Sequence, residues 1–351
     1  MTNFISIDGR KIGPEYPPYI IAEVSANHNG KLENALKLLE IAKEAGADAV
    51  KLQTYTADTI TLDCDKEDFQ IRGGLWDGNT LYSLYQQAYT PWEWHKALFA
   101  KAKSLDLTIF SSPFDTTAIE LLEGLDAPAY KIASFEAIDL PLIQAAAKTG
   151  KPLIISTGMA NQEEIQEAID AAKDAGCTEL AILHCVSGYP TPADQYNLRT
   201  VADLSERFNC VVGLSDHTIE NITAVTSIAM GAAIVEKHFT LDRNGGGPDD
   251  SFSLEPKELA ALCRDTKMAW QALGKVNYTL TEAEKGNAQF RRSLYAVRDI
   301  KAGEAITMEN VKSIRPGYGL APKHLNTILG KIACQAIEKG TPIRWDLLNK
   351  E

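Results

Sequence analysis

Eight short apolar runs recur between residues 19 and 238, and most of them end in polar residues that can take part in chemistry. A continuous apolar run bounded by polar residues is typical of a strand buried on both faces. Eight such runs, most of them separated by helical stretches, predict an α/β fold, a closed (β/α)8 TIM barrel. The active site of this fold lies at the carboxyl ends of the strands, where the polar residues fall. The runs are 19–25, 49–53, 107–112, 129–134, 152–156, 180–184, 211–217 and 233–238.

The stretches between the runs carry apolar residues three or four positions apart, which is the spacing of an amphipathic helix. In the first of them, Leu38, Leu39 and Ala42 share one face, and Gly46 follows as a helix stop. Helices are accordingly predicted at 31–45, 91–104, 116–125, 140–149, 162–175, 198–208, 220–230 and 256–273.

Two segments on the predicted catalytic face are unusual in length or composition. Residues 55–90 are longer than an ordinary strand–helix loop and are rich in Asp, Gly and aromatic residues. This segment is predicted either to form a lid or substrate wall or to be a packed surface insertion. Residues 242–251 contain three consecutive glycines, which let the backbone approach a ligand closely or merely make the loop flexible.

The chain turns polar from Gly274 to Phe290 and then continues with short apolar pieces and turns. We therefore predict a catalytic barrel over 1–280, a linker over 281–290 and a small β-rich module over 291–351. Such a module is near the lower size limit for independent folding.

Composition narrows the function classes. The formal net charge is −12, which disfavours nucleic acid or anionic lipid as a partner, although a local lysine pocket can still bind a small anion. No apolar run approaches the length of a membrane helix, and the first ten residues are too polar for a signal peptide. The six cysteines include no C-x-x-C pair and are predicted to be reduced, mostly structural thiols. These features predict a cytoplasmic enzyme.

Two histidines are predicted to lie side by side at the strand ends. Side chains alternate along a strand, so Ser215 and His217 share one face, as do Glu236 and His238. Neighbouring strands are about 4.8 Å apart, so the two imidazoles can share one ion. Catalytic zinc usually has three protein ligands, so water and substrate oxygens would complete the shell, which suits Mn²⁺ better. The alternative is that each histidine is a hydrogen-bonded core residue.

Two lysines and several hydroxyls end other strands. Lys51 and Lys131 can pair with structural carboxylates, bind phosphate or carboxylate, or form a Schiff base. Ammonium and hydroxyl groups arranged in a ring suit a phosphate. The hydroxyls belong to Ser112, Ser134, Ser156 and Ser215.

Carboxylates also lie near the strand ends. Glu23 and Glu136 can hydrogen-bond a polyol, act as acid or base, or balance the lysines. In the small module, Arg315 lies beside Pro316 and Gly317, which would permit a fixed, projecting loop. An arginine on a surface is otherwise only solvated.

The order of these motifs resembles that of the sialic acid synthase family, over essentially the full length of the chain. The motifs are Ile21-Ala-Glu23, Lys51-Leu-Gln53, Ser112-Pro-Phe114, Tyr130-Lys-Ile-Ala-Ser134, His184-Cys185, Tyr189-Pro-Thr-Pro192, Gly213-Leu-Ser-Asp-His-Thr218, Glu236-Lys-His-Phe239, Gly247-Pro-Asp249 and Arg315-Pro-Gly317. The resemblance implies a (β/α)8 barrel followed by an antifreeze-like (SAF) domain. It also implies condensation of phosphoenolpyruvate with a 2-acetamido sugar and water, giving a nine-carbon 2-keto acid and phosphate by C–O cleavage.

Within the family, the chain is most similar to the branch that makes pseudaminic acid from 2,4-diacetamido-2,4,6-trideoxy-L-altrose. The signs are Ser25-Ala-Asn-His-Asn-Gly30, Leu75-Trp-Asp-Gly78, Tyr89-Thr-Pro-Trp-Glu-Trp-His95 and Gly246-Gly-Pro-Asp-Asp-Ser-Phe-Ser-Leu-Glu-Pro256. The alternative branches make N-acetylneuraminic or legionaminic acid.

The resemblance also assigns roles by position. It implies that His217 and His238 hold a divalent cation such as Mn²⁺, Mg²⁺ or Co²⁺. The phosphoenolpyruvate site would be lined by Lys51, Gln53, Ser112, Lys131, Ser134, Ser156 and Ser215. The sugar would be faced by Glu23, Glu136, Tyr189, Asp249, Phe290 and Arg315. Either glutamate is a candidate acid or base.

The resemblance further implies a domain-swapped homodimer, in which Arg315 of one subunit serves the barrel of the other. One position departs from the family pattern, because Ser187 precedes Gly188-Tyr189 where sialic acid synthases carry Asn. One contact on the phosphate side is therefore in doubt. Two other classes compete with this interpretation: a Schiff-base aldolase that uses Lys51 or Lys131, and a non-catalytic carbohydrate-binding protein.

Overall fold

A computed structural model describes residues 4–349 and divides the chain into two compact units, Met1–Gly274 and Lys275–Glu351. In the first unit a short antiparallel hairpin precedes eight parallel strands that close into a barrel, in which each strand pairs with the next along the chain and the last pairs with the first. The strands are β1 Ile5–Ile7, β2 Arg10–Ile12, β3 Tyr19–Glu23, β4 Ala49–Thr54, β5 Thr108–Pro113, β6 Tyr130–Ile132, β7 Leu153–Ser156, β8 Leu180–Cys185, β9 Val211–Asp216 and β10 Ile234–His238. The predicted barrel is confirmed.

Helices follow the strands and pack their apolar faces on the outside of the barrel. In the first helix the predicted face, including Leu38 and Ala42, is buried, and Gly46 ends the helix at a φ of 89°. The helices of this unit are α1 Leu32–Ala45, α2 Ala57–Ile60, α3 Leu81–Ala88, α4 Trp92–Ser104, α5 Thr116–Gly124, α6 Leu140–Ala147, α7 Gln162–Asp174, α8 Arg199–Phe208, α9 Ile222–Ala229 and α10 Pro256–Leu273.

The barrel interior changes from apolar to polar along the strands. Alternate strand residues such as Ile21, Phe110, Ile154 and Ile234 form a buried cluster inside the lower barrel. The next residues of the same parity, nearer the carboxyl ends, are polar. They are Glu23, Lys51, Ser112, Lys131, Ser156, Ser215 and Glu236. The strand residues that point into the barrel are therefore apolar along most of each strand and polar at the carboxyl end.

The hairpin β1–β2 closes the opposite end of the barrel. Its Ile5, Ile7 and Ile12 are buried in the same interior cluster. The turn between the strands is Asp8-Gly9, both at positive φ, as a tight hairpin turn requires. The sequence prediction missed this hairpin.

Residues 55–90 form an ordered insertion rather than a simple loop. Helices α2 and α3 lie at its two ends, and an isolated bridge joins Gln70 to Thr80. A capping box at Thr80 starts α3, because the Thr80 hydroxyl accepts from the Ser83 amide.

The second unit is small and rich in short β pairings. Strands β11 Ser293–Ala296 and β12 Val311–Ile314 pair antiparallel, and short helices occur at α11 Glu282–Lys285 and α12 Leu325–Ile328. A separate buried cluster, with Leu294, Val311 and Ile343 among its members, forms the core of this unit. Residues 281–290, predicted as a linker, lie within the second unit and include α11.

Across residues 4–349, no helix combines the length and the apolarity needed to cross a membrane.

Candidate active site

An ion-pair network crosses the interior of the barrel near its carboxyl end. Glu236 on β10 lies 3.3 Å from the Lys131 ammonium on β6 and 3.6 Å from the Lys51 ammonium on β4. Strands β6 and β10 are not neighbours in the barrel, so this contact runs through the interior. The structure therefore brings the two predicted lysines onto one shared carboxylate.

Glu23 completes the network on the next strand. Its Oε2 lies 2.5 Å from Lys51 Nζ, and its Oε1 accepts from the side-chain amide of Gln53 at 3.1 Å. Burial raises the pKa of Glu23, although Lys51 opposes the shift. Burial acts the same way on Glu236, but Lys131 and Lys51 outweigh it, so the pKa of Glu236 is lowered. Glu236 thus contacts both ammonium groups, 3.6 Å from that of Lys51 and 3.3 Å from that of Lys131.

The predicted serines surround this network. Ser112 Oγ accepts from Lys51 at 3.2 Å, and Ser215 donates to Glu236 at 3.4 Å. Ser134 accepts from the Gly158 amide at 3.2 Å. Ser156 Oγ is buried and has no hydrogen-bond partner among residues 4–349. Ser112 and Ser215 therefore belong to the ion-pair network, while Ser134 and Ser156 lie at the ends of other strands of the same barrel.

The two histidines of the predicted metal pair lie beside each other. His238 ends β10, His217 follows β9, and their ring centroids are 5.5 Å apart. Both side chains are buried. Burial lowers the pKa of His238 well below its ordinary value, and the neighbouring His217 and lysines lower it further. His238 is therefore a neutral imidazole, the form that binds a metal ion.

The nitrogens of this pair fit a divalent cation. His217 Nδ1 donates to the Val186 carbonyl at 2.9 Å, so Nε2 is the nitrogen that is left to bind an ion. His238 Nδ1 is buried with no hydrogen-bond partner in the described chain. Within residues 4–349, no set of three or more His, Cys, Asp or Glu side chains is placed to hold an ion. An ion here would have two protein ligands and take oxygens from water or substrate, which suits Mn²⁺ or Mg²⁺ better than zinc.

Cys185, which the sequence prediction did not single out as a site residue, contacts this pair. Its Sγ lies 3.9 Å from His217 Nδ1. Burial lowers the pKa of His217, but Cys185, the Val186 carbonyl and Asp216 together outweigh it, so the pKa is raised. The pKa of Cys185 is lowered to about 7 although its burial acts in the opposite direction, because His217 lies beside it. All six cysteines are free thiols, as predicted.

A second buried ion pair holds the strand ends that carry the histidines. Lys237 points away from the interior, and its ammonium lies 2.9 Å from Asp216 and also donates to Thr218. Asp216 in turn accepts from the Thr218 amide at 2.9 Å. These bonds fix the backbone on either side of His217 and next to His238. Lys237 and Asp216 are therefore positioning residues that the sequence analysis missed.

The predicted sugar-facing residues of the barrel lie around the histidines. The Tyr189 ring is 4.3 Å from that of His217 and 6.1 Å from that of His238. Asp249 accepts from Ser25 at 2.5 Å and lies 3.9 Å from His238 Nδ1. Burial raises the pKa of Asp249.

Glu136 is the carboxylate that remains free. Its Oε2 is buried and has no hydrogen-bond partner in the part of the chain that the structure describes. Burial raises the pKa of Glu136 to about 7. Unlike Glu23, which is committed to Lys51 and Gln53, Glu136 can therefore gain or lose a proton near neutral pH.

Phe290 and Arg315 belong to the second unit, and both side chains are exposed there. The turn after Arg315 packs on the segment that carries Phe290, because the Gly317 amide donates to the Gln289 carbonyl at 2.9 Å. The two predicted sugar-facing residues thus occupy neighbouring segments of this unit.

Comparison with known proteins identifies the family. The NeuB family model matches residues 38–278, and the SAF domain model matches residues 291–349. The chain belongs to the NeuB family. The resemblance to sialic acid synthases and the predicted fold of barrel plus SAF domain are both confirmed.

The similar NeuB-family proteins include named synthases. A pseudaminic acid synthase from Campylobacter jejuni is 47% identical over 326 residues, which cover 93% of this chain and 95% of that protein. A pseudaminic acid synthase from Helicobacter pylori is 44% identical over 334 residues, covering 94% and 97%. The crystal structure of an N-acetylneuraminic acid (sialic acid) synthetase from Leptospira borgpetersenii, in complex with citrate, matches with a TM-score of 0.73 at 30% identity. That match covers 82% of this chain and 96% of the other.

The contacts of Lys51 argue against this lysine as the amine of the rival Schiff-base aldolase. A Schiff base requires a neutral amine as the nucleophile. Burial lowers the pKa of Lys51, but Glu23 and Glu236 raise it by more, so Lys51 stays protonated. Lys51 is therefore suited to binding an anion rather than to attacking a carbonyl.

Proposed function

We propose that this chain is a pseudaminic acid synthase. It would condense phosphoenolpyruvate with 2,4-diacetamido-2,4,6-trideoxy-L-altrose and water, and release phosphate by C–O cleavage. The observation that carries the proposal is the lysine, serine and glutamate network beside a buried histidine pair. The similarity to two pseudaminic acid synthases selects this branch of the family.

Phosphoenolpyruvate would bind over the lysine network. Lys51 and Lys131 supply positive charge, and the free hydroxyl of Ser156 can donate to an anionic oxygen. Gln53, Ser112, Ser134 and Ser215 would add further polar contacts around the same site. Buried ammonium groups also reduce the repulsion between an anion and a second polar substrate as the two approach.

His217 and His238 would hold the divalent cation, Mn²⁺, Mg²⁺ or Co²⁺. When bound, such a cation supplies Lewis-acid polarisation of the sugar carbonyl. The residues around it orient the sugar: Tyr189 packs on the histidine rings and Asp249 offers a carboxylate. Holding both substrates face to face contributes up to about 7–11 kcal/mol through effective molarity.

Glu136 is the residue that we assign as general base toward the attacking water. Glu23 is less suited, since both of its oxygens already have partners. The carboxylate form of Glu136 increases as pH rises through about 7, because burial raises its pKa to that value. A base with a pKa near the working pH transfers protons most effectively.

We expect kcat/KM for the sugar to rise with pH through an apparent pKa near 7, at saturating Mn²⁺. The base form of Glu136 is absent below this range and present above it. Glu136→Gln should lower the rate by roughly 10²- to 10⁴-fold and remove the rising limb. Glu120→Gln, on the exposed face of α5, is the control and should keep the wild-type profile. A rising limb that persists in the residual activity of Glu136→Gln would assign the proton transfer to another group.

We further propose a homodimer in which each SAF domain covers the barrel of its partner. Exposed apolar side chains follow several barrel strands, namely Phe135, Ile138, Met159, Ile219 and Ile222. In the second unit, Phe290 and Arg315 are exposed on neighbouring segments. An exchanged SAF domain would bury both sets and deliver Arg315 to the sugar. Free thiols in all six positions favour a reducing compartment, so we place the enzyme in the cytoplasm.

Phosphate release tests the proposed function directly. The full-length protein is incubated with phosphoenolpyruvate, Mn²⁺ and one of three sugars: the diacetamido-trideoxy-altrose, 2-acetamido-2-deoxy-mannose or 2,4-diacetamido-2,4,6-trideoxy-mannose. We expect kcat/KM to be highest with the altrose derivative. Preference for either mannose derivative would instead assign an N-acetylneuraminate or legionaminate synthase, and no release with any of them would refute the proposal.

A further inference from the structure

The cavity at the carboxyl end of the barrel has two unlike sides. Its volume is about 430 Å³. One side is polar and carries Gln53, Glu136, His238 and Asp249. The other side is apolar and comes mainly from the insertion 55–90, with Phe114, Ala133 and Phe135 adding to it. We call the part from the insertion the insert wall, and it consists of Ile60, Ile71, Trp76, Leu81, Leu84 and Tyr85.

The insert wall presents its apolar surface to the cavity rather than to a core. Within the described chain, none of its six residues belongs to the two hydrophobic clusters of the barrel. Leu84 is buried, and the other five are only half-buried. Large apolar side chains left half-exposed toward a cavity are a common feature of ligand sites.

Specific contacts hold the wall in place. The Trp76 indole nitrogen donates to the Pro248 carbonyl at 2.9 Å, which ties the insertion to the loop after β10. The Tyr85 ring packs on Tyr55 at 5.6 Å, and Tyr55 packs on Phe114 at 5.1 Å. The hydrogen bond of Trp76 and the ring contacts of Tyr85 therefore fix the position of the wall relative to the barrel.

A single aromatic ring separates the wall from the histidine pair. Tyr189 lies 5.6 Å from the Trp76 ring and 4.3 Å from the His217 ring, measured between centroids. A six-carbon sugar whose aldehyde lies at the histidines must direct its far end somewhere in this cavity. The insert wall supplies most of the large apolar side chains that line this cavity and so is the surface that this end would meet.

We infer that the insert wall makes the enzyme prefer sugars with an acetamido group at carbon four and a methyl at carbon six, by contacting both methyl groups. The inference rests on the proposed function. Methyl groups lose apolar surface to water when they contact the wall. A hydroxyl in either position would lose its hydration without gaining a partner there. The wall thus favours a 6-deoxy, 4-acetamido sugar over one with hydroxyls at both positions.

The test makes the wall polar while changing each substituted side chain by only one heavy atom. Ile71→Thr and Leu81→Gln are compared with wild type on the diacetamido-trideoxy-altrose and on 2-acetamido-2-deoxy-mannose. We expect the ratio of kcat/KM for the two sugars to fall by about 10- to 100-fold, which is the discrimination that an apolar pocket supplies. The loss should lie in KM for the diacetamido sugar, since the wall does not touch the reacting atoms. The KM for phosphoenolpyruvate should stay unchanged.

Leu75→Gln is the matched control, because Leu75 lies in the same insertion, is 46% exposed and does not line the cavity. It should keep the wild-type ratio. Leu81→Ala shortens the wall but keeps it apolar, so it should reduce the ratio less than Leu81→Gln. Because Ile71 and Leu81 are substituted separately, the wall can still be tested if one of these variants fails to fold.

The proposed function and the role of the insert wall can be refuted separately. A wild-type preference for the mannose derivative would overturn the proposed function. The role of the wall is tested by how far the ratio of kcat/KM for the two sugars changes between wild type and the variants. A wild-type preference for the diacetamido sugar that survives in both Ile71→Thr and Leu81→Gln would overturn the inference about the wall alone.

Discussion

Replacing His238 or His217 by alanine should abolish phosphate release while the barrel stays folded. Both imidazoles lie at the strand ends, and their removal leaves the apolar interior cluster of the barrel intact. Loss of the cation would remove ~4 kcal/mol or more of transition-state stabilisation, which corresponds to a roughly 1,000-fold lower kcat. Steady-state phosphate release at several Mn²⁺ concentrations measures the effect. Mn²⁺ titration by electron paramagnetic resonance measures binding independently of turnover.

His324→Ala is the control, since His324 lies in the second unit and packs on Trp345. It should keep both Mn²⁺ binding and activity. Treatment of wild type with EDTA should match the effect of the histidine variants, and added Mn²⁺ should restore only the wild-type enzyme. Full activity of EDTA-treated wild type, or unchanged Mn²⁺ binding by His238→Ala, would end the metal assignment.

The barrel could be predicted because its strands are buried on both faces and therefore read as continuous apolar runs. Leu180–Cys185 and Val211–Asp216 were predicted to within two residues at each end. Alternation along each strand then placed the polar residues. Lys51, Ser215, Glu236 and His238 share the parity of the interior cluster, so the same pattern that fixes the fold also predicts which side chains converge.

Two elements were not predicted in detail, because their apolar pattern is short or because they pack on residues that are distant in the sequence. The hairpin at residues 5–12 carries alternating isoleucines around Asp8-Gly9, a recognisable hairpin pattern, but its burial depends on the open end of the barrel. The insertion 55–90 was predicted as a wall or a packed surface. Its apolar residues follow neither the spacing of a helix nor that of a strand, because they line a cavity built from several elements.

The sequence predicts which charged residues lie at the site, but not which of them form ion pairs with each other. Lys51 was expected to need a carboxylate, yet only the closed barrel shows that Glu236 serves both Lys51 and Lys131 from across the interior. The same holds for Cys185, whose contact with His217 depends on the register between β8 and β9. In the sequence, Lys237 is a strand residue between Glu236 and His238 with no predicted role. Only the structure shows that it forms an ion pair with Asp216.

Arg315→Ala should reduce activity strongly even though Arg315 is exposed and lies outside the barrel unit. Truncating one partner of a charged contact that becomes buried on assembly costs about 2–5 kcal/mol, which corresponds to a loss of roughly 30- to 5,000-fold. Arg298→Ala is the matched control, because Arg298 pairs with Glu304 on the surface of the same unit and should have no effect. Phosphate release with the preferred sugar measures both variants.

A mixed dimer decides whether Arg315 acts on its own barrel or on that of its partner. Arg315→Ala and His238→Ala chains are co-expressed with different affinity tags, and the heterodimer is purified through both. If the SAF domains are exchanged, one of its two sites receives both native residues, so about half of the wild-type activity per dimer should return. If Arg315 serves its own barrel, each site keeps one lesion and the heterodimer stays as inactive as either parent. Because each parent alone keeps at most about 3% of the wild-type activity under both arrangements, turnover near half of the wild-type value must come from a site that two chains build together.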